Sequence, residues 1–411
     1  MRILEVSASG TVGTHDMGPV STCVCTLANG LVRRGYEVTL IDAPANDART
    51  GLDTRVNVVT VPRALRRRHF VRMSAKMQFL QGWIHALFYV LSLRRLVRLR
   101  DFDVVHVHDA EIACLFGLLS RVPYCYTSHS TVWALETERG EKLSLGRSLE
   151  RRAECFAISR SRMSIGLGDY LRRQLPGAPV TTIPNGIELA RWPLVDKRAA
   201  RRTLGLADNE FVVVFAGRIH WNKGVDLLVE AVRSLVASVQ GLRVFAIGPL
   251  GGDFHARTEA SAYAADVMDR AKGLPVHFAG FIANHSPQFR TYLAAADVAV
   301  FPSRVEPFGN VALEALAMSV PVIAARTGGL AEIVSEDVGV LVPPNDAEAL
   351  AAAIRDAMAQ PEKQAMRRAS CRKRVADKYT VEQWIERYAA AFERHQALFE
   401  RDRVAAWGRV R

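Results

Sequence analysis

Three things are scarce in this 411-residue chain: cysteine, long apolar sequence, and acid over one extended stretch. Its six cysteines (Cys23, Cys25, Cys114, Cys125, Cys155 and Cys371) are scattered, mostly within apolar runs, and none stands at a zinc-type spacing. This excludes a disulfide framework and a zinc ribbon, and leaves reduced core thiols in a cytoplasmic protein as the expectation. The longest apolar candidate, residues 79–93, is interrupted by Gln81 and His85, and a bilayer span needs about 20 residues. The start, MRILEVSASG, lacks the basic beginning and the small-residue cleavage site of a signal peptide and reads as a buried strand. Low-complexity tracts and short-period repeats are missing as well, so disordered and collagen-like classes are excluded.

Acid is missing from residues 62–100, which hold ten basic residues: Arg63, Arg66, Arg67, Arg68, Arg72, Lys76, Arg94, Arg95, Arg98 and Arg100. The first hundred residues carry 15 Arg/Lys against 6 Asp/Glu, so most of the chain's +12 is concentrated there. Three readings fit such a block: a solvated helical face, a steering field for an anionic acceptor, or docking on an anionic membrane. Docking would make the protein peripheral at the inner face of the membrane, with Phe79, Trp83, Phe88 and Tyr89 at the interface. No nucleic-acid recognition module accompanies the charge, so nucleic acid is not an expected partner.

With 49% hydrophobic and 23% charged residues, the chain has material for two or three cores. Strand-like runs alternate with helix-length segments throughout, the pattern of parallel α/β sheets. In the first half the expected strands are 3–6, 37–41, 104–107, 123–127, 155–158 and 180–183, with a helix ending near Arg33-Arg34-Gly35. A second series, 211–215, 242–247, 276–279, 298–301 and 320–323, follows a break at Pro184-Asn185-Gly186. The expectation is two Rossmann-like, doubly wound parallel-sheet domains, 1–188 and 189–380. A hinge falls near 185–195, and a C-terminal helix of about 381–400 packs back on the first domain. Ligands of such sheets sit at the strands' carboxyl ends, so two facing sheets would make an interdomain cleft.

The chemistry concentrates in the second half. After strand 211–215 comes Gly217-Arg218-Ile219-His220-Trp221-Asn222-Lys223-Gly224, which puts two cations and two glycines at a strand-to-helix turn. Backbone N–H groups and the helix dipole already favour anions there. Strand 298–301 leads into Pro302-Ser303-Arg304-Val305-Glu306-Pro307-Phe308-Gly309-Asn310-Val311-Ala312-Leu313-Glu314. A helix starting at Pro307 to Gly309 would aim the N–H groups of Phe308 to Val311 at a ligand, with Glu306 in the loop and Glu314 two turns in. Cations, free N–H groups and two carboxylates in this order suit a nucleotide-diphosphate sugar.

These residues resemble the retaining GT-B glycosyltransferases of glycosyltransferase family 4, whose E-x7-E and G-R-x4-K-G patterns are met without a gap at 306–314 and 217–224. Pro184-Asn185-Gly186 is a companion motif. The resemblance implies that Arg218 and Lys223 grip the donor diphosphate and stabilise it as leaving group. It assigns Glu306 to the sugar hydroxyls, assisted by the backbone of Phe308 and Gly309, the N–H groups of Asn310 and Val311 to phosphate, and Glu314 to the ribose. Gly217 belongs to the donor turn, the loop at Phe281-Ile282 would lie against the base, and His129 matches a histidine near the reacting sugar. Loop 10–19, with Gly13 and Gly18, would face acceptor and phosphate. Where relatives often carry two glycines this chain has Gly18-Pro19, and proline removes one phosphate-binding N–H.

The implied activity is transfer of a hexosyl or N-acetylhexosaminyl group, with retention, to a hydroxyl of a small-molecule, glycan or lipid-linked acceptor. No metal or other cofactor is expected. A UDP-sugar is favoured, with GDP and ADP open because the base is held largely by backbone. The alternatives are a nucleotide-sugar epimerase or phosphorylase of the same fold, or a non-catalytic membrane- or polyanion-binding protein. Plainer roles stand beside these: a dipole-stabilising acid at Glu306, a solvated helix residue at Glu314, a satisfied core histidine at His129, and packing groups at Trp221 and Phe308. His106 and His108 share one strand face next to Asp109 and Glu111 but show no clear third ligand, so packing or cleft lining is the expectation.

Overall fold

A computed structural model describes residues 1–7, 19–42, 51–61, 75–129, 142, 144–175, 177–250, 261–284 and 286–408. The chain divides into two compact units, 1–184 with 384–411, and 185–383. Each holds one wholly parallel sheet.

The first sheet joins β1 (Arg2–Val6), β2 (Glu37–Asp42), β3 (Asn57–Thr60), β4 (Val104–Val107), β5 (Cys125–Ser128), β6 (Met163–Gly166) and β7 (Val180–Thr182) in the order β3-β2-β1-β4-β5-β6-β7. The second joins β8 (Phe211–Ala216), β9 (Leu242–Ile247), β10 (Val276–Gly280), β11 (Val298–Phe301), β12 (Val322–Ala325) and β13 (Gly339–Val342) in the order β10-β9-β8-β11-β12-β13. Helices cover both faces, which is why the central strands read as unbroken apolar runs: Val298, Ala299, Val300 and Phe301 are all buried. The helix Val225–Leu235 buries Val225, Leu228, Val232 and Leu235 against this sheet, the three-to-four spacing of one helical face. In each unit strand order reverses once, between β1 and β4 and between β8 and β11. The carboxyl ends of the strands beside such a reversal open a crevice where ligands bind.

Three sequence expectations change. Residues 155–158 are not a strand but part of the helix Leu145–Arg160, whose buried Ala153, Glu154, Ala157 and Ile158 repeat at helical intervals. A four-residue apolar run fits either structure, and here the helix wins by continuity. Strands β5 and β12 start two residues late, because Pro123 and Pro321 have no N–H for the ladder. Strands β3, β6 and β13 are additional, short and diluted by Asn, Ser or Gly. At the C-terminus the helix Val381–Gly408 runs past residue 400. Ile385, Tyr388 and Phe392 are buried on one of its faces, and Gly30 is the reason the helix approaches so closely. A Cβ at that position would lie 2.0 Å from Ile385 Cδ1.

Candidate active site

At the strand-order reversal of the second sheet, β8 ends at Ala216 and the chain turns through 217–224 into the helix Val225–Leu235. Gly224 has φ 68°, and a Cβ there would stand 2.0 Å from the carbonyl oxygen of Pro302. Only glycine lets this helix begin against the chain leaving β11. The contact brings the two motifs together, and Lys223 Nζ donates to Glu306 Oε2 at 2.5 Å, with Ser303 Oγ on the same oxygen at 3.3 Å. Arg304 fixes the loop from the other side. It makes a two-pronged pair with Asp226 at 2.8 and 2.7 Å, and its guanidinium lies 4.8 Å over the Trp221 ring. Trp221 is therefore engaged in packing. Arg218 differs: its half-buried side chain has no hydrogen-bond or ion-pair partner among the described residues.

The helix Asn310–Ala317 starts directly after the expected Pro307–Gly309 stretch, with Gly309 (φ 108°) as its cap and no side chain closing the end. Phe308 thus precedes the helix; its ring is buried, edge-on to Tyr379. The first N–H to bond back is that of Ala312, to Gly309 O, which leaves those of Asn310 and Val311 at the positive end of the dipole. Glu314 sits about one turn into the helix rather than two. It is buried, takes Asn284 Nδ2 at 3.3 Å on Oε1, and has no partner for Oε2. Burial pushes its carboxyl up to about 8, against the opposing pull of Asn284. Asn284 ends the loop in which Phe281 is exposed and Ile282 buried.

Sequence reasoning missed three supports. Thr327 Oγ1 donates to Ser303 O at 2.9 Å, and Gly329 N–H to Glu306 O at 3.1 Å. Between them Gly328 (φ 46°) comes so close that a Cβ would lie 1.7 Å from Glu306 O. The Thr-Gly-Gly after strand 320–323 was the available signal. Asn284 reaches Glu314, and buried Asn185 donates to Asn310 Oδ1 at 3.2 Å, which gives the Pro-Asn-Gly motif a contact at the same helix start.

His129 belongs to the other unit, where a buried polar group occupies the strand-order reversal. Glu5 on β1 pairs in register with His106 on β4. Glu5 Oε2 lies 2.9 Å from His106 Nδ1 and 2.7 Å from His108 Nε2, and His108 Nδ1 lies 2.9 Å from His129 Nε2. The third group beside the two histidines is thus Glu5, on β1 and far in sequence from Asp109 and Glu111. The three side chains bring ligand-type atoms within 4.8 Å. One nitrogen of each of the two rings stands at hydrogen-bond distance from Glu5 Oε2, and the same three groups are of the ligand types that hold a metal ion. Gly13 and Gly18 lie outside the described residues. Pro19 opens the helix Pro19–Arg33, the position where its missing N–H costs no helical bond.

Comparison with known proteins agrees with this architecture. The profile of the Glycosyl transferases group 1 matches residues 196–374, and that of Glycosyltransferase Family 4 matches residues 20–191. A D-inositol 3-phosphate glycosyltransferase of Geodermatophilus obscurus is 34% identical over 324 residues, covering 73% of this chain and 69% of the relative. Among solved structures, sucrose-phosphate synthase from Thermosynechococcus elongatus superimposes with a TM-score of 0.77 at 23% identity, covering 97% of this chain and 99% of the other. Anabaena HepE, solved with UDP and glucose, gives 0.67 at 19% identity, covering 95% and 99%. This chain belongs to the group 1/family 4 glycosyltransferases and has their GT-B fold of two Rossmann-like domains.

Proposed function

We propose that the protein transfers a hexosyl or N-acetylhexosaminyl group, with retention and without metal, from a nucleotide-diphosphate sugar to an acceptor hydroxyl. The observation that carries this reading is the half-buried guanidinium of Arg218, which has no partner among the described residues, on the same turn as the Lys223–Glu306 pair. As the glycosidic bond breaks, negative charge grows on the diphosphate and positive charge on the anomeric carbon. Arg218, Lys223 and the N–H groups of Asn310 and Val311 would stabilise the first of these. Glu306, released by Lys223, turns to the sugar hydroxyls, and the leaving phosphate accepts the acceptor's proton on the face it departs from. His129 is assigned a place near the transferred sugar. A UDP-sugar is the favoured donor, and HepE, a neighbour in fold, was solved with UDP-glucose.

Thermal shift against UDP, GDP, ADP and their sugars, in EDTA, tests the donor reading. At about 100 Kd the correct nucleotide adds about 2.7 kcal/mol of stability. A chain whose unfolding midpoint ignores all of them is not a nucleotide-sugar transferase.

We further propose that the acceptor is reached at an anionic lipid surface. The helix Ala75–Leu96 buries Ala86, Tyr89, Val90 and Leu93, yet exposes Leu80, Ile84, Leu87, Phe88 and Leu91 on a second face. Exposed Arg94, Arg95, Arg98 and Arg100 follow at its end. This corrects Tyr89, whose buried Oη donates to Ser7 O at 3.0 Å and is no interface residue; Phe88 is exposed, and the Phe79 side chain lies outside the described residues. Trp83 and Leu80 line an apolar groove of about 490 Å³ with Leu149 and Phe156. No described helix is long and apolar enough to cross a membrane, and this one has the composition of a helix that lies in the interface. Charge selects the surface, each Arg near it adding about 1 kcal/mol. The protein should sediment with vesicles containing anionic phosphatidylserine at low salt and be released at high salt. Ile84→Glu with Phe88→Glu should weaken binding at least about tenfold, and failure of the unaltered chain to sediment would remove the proposal.

A further inference from the structure

His106 and His108 alternate on β4, so their side chains leave one face of the sheet together, and parallel pairing sets Glu5 of β1 opposite His106 on that face. One carboxylate and two imidazoles from adjacent central strands thus converge, with Glu5 Oε2 2.9 Å from His106 Nδ1 and 2.7 Å from His108 Nε2. The core closes over them: the side chains of Glu5 and His106 are wholly buried, that of His108 is 2% exposed, and Tyr388 and Phe392 pack on the His106 ring. The group is nevertheless incompletely satisfied. Glu5 Oε1 is buried and has no partner among the described residues. Burial opposes the charge of this carboxyl, yet the facing histidines hold it down at about 2. A buried anion with one bare oxygen is costly. The outer nitrogens of both rings, by contrast, are engaged. His106 Nε2 lies 2.7 Å from Thr127 Oγ1, itself 3.1 Å from Tyr388 Oη, and His108 Nδ1 lies 2.9 Å from His129 Nε2. A histidine that ligates a metal has its second nitrogen tied in this way, which fixes the ring.

We propose that the first unit holds a structural zinc ion, bound by His106 Nδ1, His108 Nε2 and the Glu5 carboxylate, whose bare Oε1 completes the coordination. The ion takes the place of the protons shared between each ring and Glu5, so the site forms whatever charge His108 carries without it. Ligand atoms about 2 Å from a tetrahedral ion stand about 3.3 Å apart, so the carboxylate has to withdraw by about half an ångström. Two imidazole nitrogens favour zinc and its transition-metal neighbours over magnesium and calcium, which take oxygen. Closed in the core, the ion clamps β1 to β4 and has no part in group transfer. The proposal is independent of the donor reading.

Elemental analysis and X-ray absorption at the zinc edge, on the full chain produced with zinc in the medium and then desalted, test this. The parent should carry close to one zinc per chain, held by nitrogen and oxygen with no sulfur neighbour. In competition with a chromophoric chelator, Glu5→Gln and His108→Asn, each lacking a ligand, should weaken zinc at least about 100-fold; Thr127→Val, which removes only the outer partner of His106, should weaken it about tenfold. Zinc, and not magnesium, should raise the unfolding midpoint of the zinc-free parent and leave that of His108→Asn where it was. A parent that holds no zinc when produced in its presence overturns the proposal. So does zinc bound by sulfur, or zinc that folded Glu5→Gln and His108→Asn hold as tightly as the parent. Should neither variant fold, the stoichiometry and ligand shell of the parent still decide. None of these measurements uses a nucleotide, so failure of the donor reading leaves them intact.

Discussion

Arg218→Ala should lower kcat at least about 100-fold, the size of effect that follows loss of one donor to a developing oxyanion, and leave the unfolding midpoint where it was. The second half of this expectation makes the variant informative. Arg218 has no partner among the described residues, so the ligand-free fold loses no bond when the guanidinium goes. Lys223→Ala should cost as much in kcat but is a less clean probe, because it strips Glu306 of its ion pair in a site where both side chains are mostly buried. Arg218→Lys keeps the charge and loses the two-pronged geometry, so it should recover only part of the rate. Initial-rate kinetics at saturating donor on purified, folded variants check all three. Near-native turnover by Arg218→Ala would place the leaving-group contact elsewhere.

The Lys223–Glu306 pair gives the resting site a further property. The cation assigned to phosphate and the carboxylate assigned to sugar satisfy each other at 2.5 Å. Neither half-buried charge then waits unpaired for substrate, which would cost more than the pair does. A donor with both diphosphate and sugar offers each partner a replacement at once, whereas a bare sugar or a bare anion offers only one. On the proposed donor reading, that exchange would favour the intact nucleotide sugar over either half.

The two segments that make up the candidate donor site were legible in sequence because each is set by local chain geometry. Gly217 to Gly224 and Glu306 to Glu314 each lie within one turn and one helix start, so spacing alone orders them. The supports were not legible, since they are contacts between distant turns. Asn284 is 30 residues from Glu314, and Thr327 is 24 from Ser303. Nothing in the local pattern of Thr-Gly-Gly says which loop it will brace. Glu5 was hidden for the same reason: it reads as a polar interruption in a short strand until parallel pairing sets it against His106 across 101 residues. Of the fold, long apolar strands and the helix Val225–Leu235 announced themselves by periodicity. The helix over 155–158 and the short β3, β6 and β13 did not, because four residues sample too little of either period.

Donor affinity should depend steeply on pH through Glu314. In the ligand-free protein its carboxyl is raised from the ordinary 4.5 to about 8 by burial, so it is protonated at neutral pH. The sign of the stability effect follows: the fold keeps a proton that the unfolded chain releases near 4.5. Its contribution is thus fully present below that pH and declines as pH rises toward 8. Ribose hydroxyls are donors, and the Oε2 that lacks a partner is where they would bond. If the carboxylate is the binding form, each proton must leave before a UDP-sugar can bind, and affinity should rise about tenfold per pH unit between pH 6 and pH 8. Calorimetry in buffers of different ionisation enthalpy should register close to one proton released per donor near pH 7. A UDP-sugar is the right probe, because its esterified diphosphate has no proton to lose in this range, whereas the terminal phosphate of UDP does. Glu314→Gln removes the titrating group without removing the volume. It should abolish the pH slope, bind the donor more weakly at pH 8, and unfold at a higher temperature than the parent above about pH 5, a gain in stability at the expense of a contact that forms only with substrate. A pH-independent affinity in the parent would mean that Glu314 binds as the neutral acid, donating to ribose where the carboxylate would accept.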